Sequence, residues 1–354
     1  MVVARPYGVT ADGHAVTEYT LENARGMQVK CLDWGGRITS IRVPDRNGRL
    51  VDVVLGFDTL AEYEADTQSL GAFVGRYANR IERAVFSLDG VEHHLQVNNG
   101  PNHNHGPWGS RPMQADWAVG GDRLILRYHS PAGEDDMPGT VDAQVQYILE
   151  EDNTLTIRYH AVTDAATPIN LTNHSYFNLA GSGDVLNHTL RLWAKNYTRA
   201  DENSCPFGTI DPVAGTPMDF TAEKPMGGDI DADYDQLVWG KGYDHNWCLN
   251  TYKDGKGDDT KVCAVLWSPL TKIGLSMYTN EPGVQVYTGN FQGTGVSCKH
   301  GIKYPKHVSV CLESQKYPDS PNKHNWPSPY LKPGEKYYSH VAYRFWTGDF
   351  STDK

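Results

Sequence analysis

Apolar side chains recur at every second position in segment after segment of this chain. Val141, Ala143, Val145, Tyr147 and Leu149 alternate with other residues, Glu151-Asp152-Asn153 turns the chain, and Leu155, Ile157, Tyr159 and Ala161 alternate again. Leu190, Leu192 and Ala194 repeat the pattern, as do Val308, Val310 and Leu312. Successive strand residues point to opposite faces, so a period of two predicts strands with one face on a core. Asp89-Gly90 between Phe86-Ser87-Leu88 and Val91-Glu92-His93 predicts a tight hairpin. Asp45-Arg46-Asn47-Gly48 predicts a turn between Arg42-Val43-Pro44 and a returning segment at 50–55. Thr59-Leu60-Ala61-Glu62 has the capping-box pattern and predicts a short helix ending near Ser69. No long amphipathic period follows. With 35 glycines and 20 prolines spread along the chain, the expected fold is all-β, with many short strands and very little helix.

Residues 201–242 break the alternation and are rich in Gly, Pro and Asp. They read as a long loop, and such a loop in a compact domain is usually functional or mobile. There is no clear linker, internal repeat or low-complexity segment, so a single domain over 1–354 is the expectation.

Formal net charge is −11, with no dense run of lysine or arginine. That argues against nucleic acid or an anionic membrane surface as main partner and favours a neutral ligand. No apolar run reaches the ~18 residues of a membrane-spanning helix. The apolar start of MVVARPYGVTADGH is too short for a signal peptide. The six cysteines (31, 205, 248, 263, 298, 311) are scattered without a CxxC spacing. They are expected to be reduced thiols packed as small hydrophobes, and the protein to be cytoplasmic.

Six stretches embed polar groups in strand-like or tight-turn sequence. They are GRYANRI (75–81), NNGPNHNHGP (98–107), NLTNHSYFNLAG (170–181), YDHNWCL (243–249), PGVQVYTGNF (282–291) and CLESQKYPDSPNKHNWPSPYLKPGEKY (311–337). In 170–181, alternation places Thr172, His174, Tyr176 and Asn178 on one face, suited to a polar pocket, and Asn173, Ser175, Phe177 and Leu179 on the other. Taken singly, Arg80 reads as a surface or ion-paired arginine, His174 as a satisfied polar group, Asp244 as a turn cap and Gln285 as a bridge between strands. Glu313 is harder to explain that way. Leu312 belongs to the apolar alternation, so Glu313 shares the opposite face with Ser309 and Cys311. A carboxylate there costs several kcal/mol if dry and unpaired, so it needs a wet cleft or a partner such as Arg80 or His174. His103 and His105, at i and i+2, raise a metal-binding alternative with Glu313. No carboxylate follows them closely, and Pro101 and Pro107 argue for loop rather than strand.

The six stretches, in order from GRYANRI to LKPGEKY, closely resemble the aldose 1-epimerases, also called galactose mutarotases. The resemblance implies a large antiparallel β-sandwich, the galactose mutarotase-like supersandwich, with an open sugar-binding cleft. It implies that the histidine of NHSYFNL, His174, is the general acid and the glutamate of LE-x-Q, Glu313, the general base. Asn79, Arg80, His105, Asp244 and Gln285 match the family's substrate contacts. The departures are Gly106-Pro107 in place of a commoner Gly-Gly, and Trp247 in place of a smaller aromatic, both expected to affect the cleft rim. The chemistry agrees. Anomer exchange opens a hemiacetal: one group takes the proton of the C1 hydroxyl while another protonates the ring oxygen. A carboxylate and an imidazolium suffice, so no cofactor and no metal is expected. Nearby tryptophans could stack on apolar sugar faces. The expected partner is a free aldose such as glucose or galactose, and the protein a monomer or homodimer. The alternatives are a sugar-binding module without turnover, a metal-dependent isomerase or oxygenase using His103 and His105, and an epimerase of phosphorylated hexoses, which would need several basic residues in the cleft.

Overall fold

The structure is a computed structural model that describes residues 1–292 and 299–352. Three antiparallel sheets account for most of it. The largest has nine strands, in the order Gln114–Trp117, Arg123–Ser130, Val141–Leu149, Thr154–Thr163, Tyr337–Thr347, Ile273–Thr279, Ala264–Trp267, Thr189–Leu192 and Lys224–Pro225. A six-stranded sheet runs Tyr176–Phe177, Val310–Gln315, Gly283–Tyr287, Asp244–Cys248, Asn196–Ala200 and Pro206–Pro212. A five-stranded meander, Val2–Val9 to Leu50–Asp52, forms the third.

The alternation read from the sequence sets how the sheets stack. Val284, Val286, Val310 and Leu312 from the six-stranded sheet share one buried cluster with Leu275, Met277, Tyr343 and Phe345 from the nine-stranded one. The Tyr343 hydroxyl donates to the Leu312 carbonyl at 2.7 Å, and the Phe177 and Tyr343 rings lie 5.1 Å apart. This is the face-to-face packing of a β-sandwich. The opposite face of the six-stranded sheet is left free to carry polar groups.

The hairpin at Asp89-Gly90 forms between Val85–Leu88 and Val91–His94. Both turn residues have positive φ, 52° and 80°, as a two-residue hairpin turn requires. The Thr59 capping box is present, but its helix spans only Leu60–Glu64 and stops short of Ser69. The Asp66 carboxylate ends it by accepting the backbone N–H groups of Gln68 and Leu70, each at 2.8 Å. Residues 201–242 are not one irregular loop. They contain the strands Pro206–Pro212 and Lys224–Pro225 and the helix Asp235–Gly240. Val213, Met218, Phe220, Met226, Ile230 and Leu237 enter the main core from them at spacings that fit no single period. Five cysteines are buried free thiols, and Cys298 lies outside the described residues. No described helix is long and apolar enough to cross a membrane.

Asp66 also meets Arg37 Nη1 at 2.7 Å in an ion pair whose side chains are 1% and 2% exposed. Breaking a buried pair leaves an uncompensated charge. Asp66→Ala is therefore expected to lower unfolding stability by about 3–5 kcal/mol in urea titration. A change below ~1 kcal/mol, the range of exposed pairs, would contradict it.

Candidate active site

The free face of the six-stranded sheet is the floor of a cleft of about 430 Å3. Along Val310–Gln315, Leu312 points to the core and Glu313 to the cleft. Register aligns Glu313 with Gln285, and Gln285 with Asn246. A row of three polar side chains thus crosses three strands. Asp244 lies two residues before Asn246 on the same face, and its Oδ1 accepts from Gln285 Nε2 at 2.7 Å.

His174 arrives differently from the single strand expected. Thr172–Asn173 pairs with Phe73–Val74, while Tyr176–Phe177 pairs with Val310–Gln315. His174 and Ser175 make the crossing between the two. The His174 N–H donates to the Ala72 carbonyl and its own carbonyl accepts from Gly71, each at 2.9 Å. Its ring stacks on Tyr176 at 4.8 Å, as alternation predicts. Asn178 does not join the polar face: its amide donates to the Val308 and Gly183 carbonyls.

Asn79 and His105 both hold left-handed backbones, with φ of 66° and 70°. The Asn79 N–H donates to His105 Nδ1 at 3.1 Å. Arg80 Nε donates to Asn99 Oδ1 at 3.1 Å, and its Nη2 lies 3.6 Å from Asp244 Oδ2. All seven site residues named from the sequence (Asn79, Arg80, His105, His174, Asp244, Gln285 and Glu313) line this one cleft.

His174 Nε2 and Glu313 Oε2 are 3.6 Å apart, on side chains 6% and 3% exposed. Burial disfavours the charged form of each. It pushes His174 down to about 4, opposed by Asp244 and Asp66. It pushes Glu313 well above the usual carboxyl value, assisted by Asp244 and opposed by Arg80. Burial thus favours a neutral imidazole beside a protonated carboxyl over the ion pair expected from opposite charges. His105 is held well below the usual imidazole value by burial, then by His174 and Arg80.

The metal-binding alternative raised by His103 and His105 does not assemble. His103–Asn104 is a two-residue strand against Arg80–Ile81, and the left-handed turn at His105 breaks the alternation after it. His103 therefore leaves the cleft for Asp135, 3.0 Å away, with Nδ1 at the Gln96 carbonyl. His105, His174 and Glu313 do place ligand atoms within 4.8 Å of one another. His105 Nδ1, however, accepts a backbone N–H, so the ring proton must sit on Nε2, the only nitrogen left to face an ion. His105 is thus fixed as a hydrogen-bond donor into the cleft.

Trp247, expected at the rim, points into the core, because Asp244 and Asn246 take the cleft face. It is fully buried and donates to the Met218 carbonyl at 3.0 Å. Gly106 and Pro107 do not line the cleft. Gly106 has a φ of 77° and packs where an added Cβ would lie 2.6 Å from the Gly75 carbonyl oxygen. Sequence reasoning missed Tyr287, Phe291, Trp239 and Lys241 as cleft residues. Tyr287 and Phe291 sat inside the quoted motifs. Trp239 and Lys241 lay in the segment read as loop.

A family model described as aldose 1-epimerase matches residues 17–344. The chain is 39% identical over 339 residues to the aldose 1-epimerase of Escherichia coli K12, covering 94% of this chain and 96% of that protein. It is 38% identical over 336 residues to the galactose mutarotase of Rattus norvegicus, covering 94% and 95%. Among solved structures, an aldose epimerase homologue from C. elegans superposes with a TM-score of 0.85 at 29% identity, covering 93% of this chain and 98% of its own. A galactose 1-epimerase from Lactobacillus acidophilus gives 0.85 at 27%, covering 98% and 99%.

The His105 tautomer predicts that no divalent ion occupies the cleft. Elemental analysis of the purified protein is expected to find none at stoichiometric level. A stoichiometric ion that EDTA removes and that His105→Ala abolishes would contradict it.

Proposed function

The chain belongs to the aldose 1-epimerase family, and we propose that it interconverts the α and β anomers of a free aldose, with His174 and Glu313 passing one proton around the hemiacetal. The observation that carries this reading is the buried pair 3.6 Å apart on the cleft floor. O1 and O5 of an aldose share one carbon, so a donor and an acceptor this close can each reach one of them at about 2.6–3.2 Å.

Ring opening needs ionised Glu313 to take the C1 hydroxyl proton and protonated His174 to give one to O5. When the ring has opened, the proton sits on Glu313 and His174 is neutral. The aldehyde turns about C1–C2, His174 takes the O5 proton back, and Glu313 returns its own to the former carbonyl. The state that burial favours in the empty cleft therefore matches the open-chain intermediate. Arg80 biases the pair the other way by favouring ionised Glu313, while Asp244 favours the protonated form of both groups. We assign Asn79, Arg80, His105, Asp244 and Gln285 to the sugar hydroxyls. His105 does so as a donor and Asp244 as an acceptor.

The proton circuit has no redox step and no covalent intermediate, so we assign no cofactor. The buried thiols, without a disulfide among the described residues, support a reducing compartment, the cytoplasm. We read 1–354 as one domain. A phosphorylated sugar fits poorly. The described cations lining the cleft are Arg80 and Lys241, against Glu202, Asp244 and Glu313.

Polarimetry on freshly dissolved α-D-glucose and α-D-galactose tests the activity directly, and no acceleration with either would overturn it. His174→Asn and Glu313→Gln are each expected to fold and to lose about 10²–10⁴ in kcat. The double variant is expected to lose far less than the product, because the two groups act as a unit. A His174→Asn variant within about threefold of wild type would remove His174 from the mechanism, because that loss is far smaller than a general acid is worth.

The one-proton pair also sets the pH profile. Activity falls on the acid side when His174, lowered to about 4, takes a second proton. It falls on the alkaline side when Glu313, raised by burial, loses the only one. The acid limb of kcat/KM is therefore expected at about 4, below the ordinary imidazole value of about 6.5. An acid limb at about 6.5 in wild type, lost in His174→Asn, would contradict the lowering of His174 by burial.

A further inference from the structure

Gln315 shares the cleft-side face with Glu313 but lies beneath the cleft surface and is completely buried. Its Nε2 donates to Asn246 Oδ1 at 3.2 Å and to Gln285 Oε1 at 3.3 Å. Its Oε1 accepts from Asn79 Nδ2 at 3.3 Å. Both amide hydrogens are thus used, and three of the groups it touches belong to the cleft or to the polar row behind it.

These bonds have a direction. Asn79 donates to Gln315, Gln315 donates to Gln285, and Gln285 donates to Asp244. A carboxylate only accepts, so Asp244 fixes which end of the Gln285 amide faces it. Turning Gln285 over would set its oxygen against the carboxylate and its NH2 against that of Gln315. Turning Gln315 over would repeat the conflict at Asn79. One carboxylate therefore orients three amides in series, and such chains strengthen cooperatively. The Asn79 oxygen is left to accept the Arg80 backbone N–H at 2.8 Å. Arg80 Nη2 in turn approaches the second oxygen of Asp244 at 3.6 Å. The contacts close a ring, Asp244–Gln285–Gln315–Asn79–Arg80, in which Gln315 alone does not face the cleft.

We propose that Gln315 is a positioning residue for the sugar-binding groups: it closes a directional ring of hydrogen bonds that points Gln285, Asn79 and Arg80 at the substrate hydroxyls. The inference rests on the sugar reading above. It assigns Gln315 no proton transfer, so its effect belongs in binding rather than in the chemical step.

The test is a double-mutant cycle on mutarotation kinetics, checked for fold by melting temperature. Gln315→Met keeps the length and removes every hydrogen bond. It is expected to raise KM about tenfold, the scale of one or two lost hydrogen bonds, with kcat within about threefold of wild type. In an Asp244→Asn background Gln285 can turn either way, so Gln315→Met should raise KM further by less than about threefold. The same KM factor in both backgrounds, an unchanged KM, or a fall in kcat alone would overturn the proposal. If Gln315→Met does not fold, side-chain amide NMR of Asp244→Asn decides. The Gln315 and Asn79 NH2 signals are expected to shift along with those of Gln285, and a shift confined to Gln285 would overturn it. Absence of mutarotation by the wild type would instead sink the sugar reading, and the NMR outcome distinguishes the two.

Discussion

A carboxyl and an imidazole held out of water 3.6 Å apart set the demands that the rest of the site meets. Buried alone, each group would simply take its neutral form. Together they form a unit with two arrangements of one proton, and neither arrangement changes the net charge of the cleft. Acid–base chemistry on a hemiacetal needs that property, because the proton removed at O1 must be matched by one delivered at O5. The charges around the pair matter by their bias. Asp244 supports the protonated form of both His174 and Glu313, and Arg80 an ionised Glu313. The two are themselves 3.6 Å apart, so each limits the field the other projects onto the pair.

The sheet makes this arrangement inexpensive to build. A strand with one face in the core must send every second residue to the other side. Leu312 and Val310 anchor one side, so Glu313 and Cys311 take the other without further choice. Neighbouring strands then supply Gln285 and Asn246 at the same level through register alone. A slip of one residue would put Glu313 into the core and Leu312 into the cleft. The apolar contacts of Leu312, Val284 and Val286 therefore hold the register of the cleft floor as well as the fold.

The same logic explains what could be read from the sequence. Glu313 was recognisable from its neighbours because its strand alternates strictly, and the Asp89-Gly90 hairpin because its turn needs two positive φ values. The seven residues named through the family resemblance line one cleft, although no periodicity connects segments so far apart. The misreadings fall where backbone geometry departs from a simple period. The Leu60–Glu64 helix is ended by Asp66, a side chain beyond its own pattern. His103 and His105 diverge because the backbone turns left-handed at His105. Residues 201–242 send six apolar side chains into the main core at uneven intervals, which no search by period could find. Gln315 was printed inside the LE-x-Q motif, but its importance lies in what its two hydrogens meet across three segments.

The position of His174 is set from the far side of the cleft as well. Arg37 and Asp66 form a fully buried ion pair, and Asp66 also binds the N–H groups of Gln68 and Leu70. That fixes the short segment after the first helix. The carbonyl of Gln68 in this segment accepts the Tyr176 hydroxyl at 2.7 Å, and the Tyr176 ring stacks on His174 with planes 13° apart. The imidazole is thus gripped through its backbone by Gly71 and Ala72 and across its face by a tyrosine whose tip is tethered to the Asp66 turn. A ring held this way can change its proton without changing its place. The proposed proton circuit needs that, because in it His174 faces the same oxygen when it takes a proton back as when it gave one.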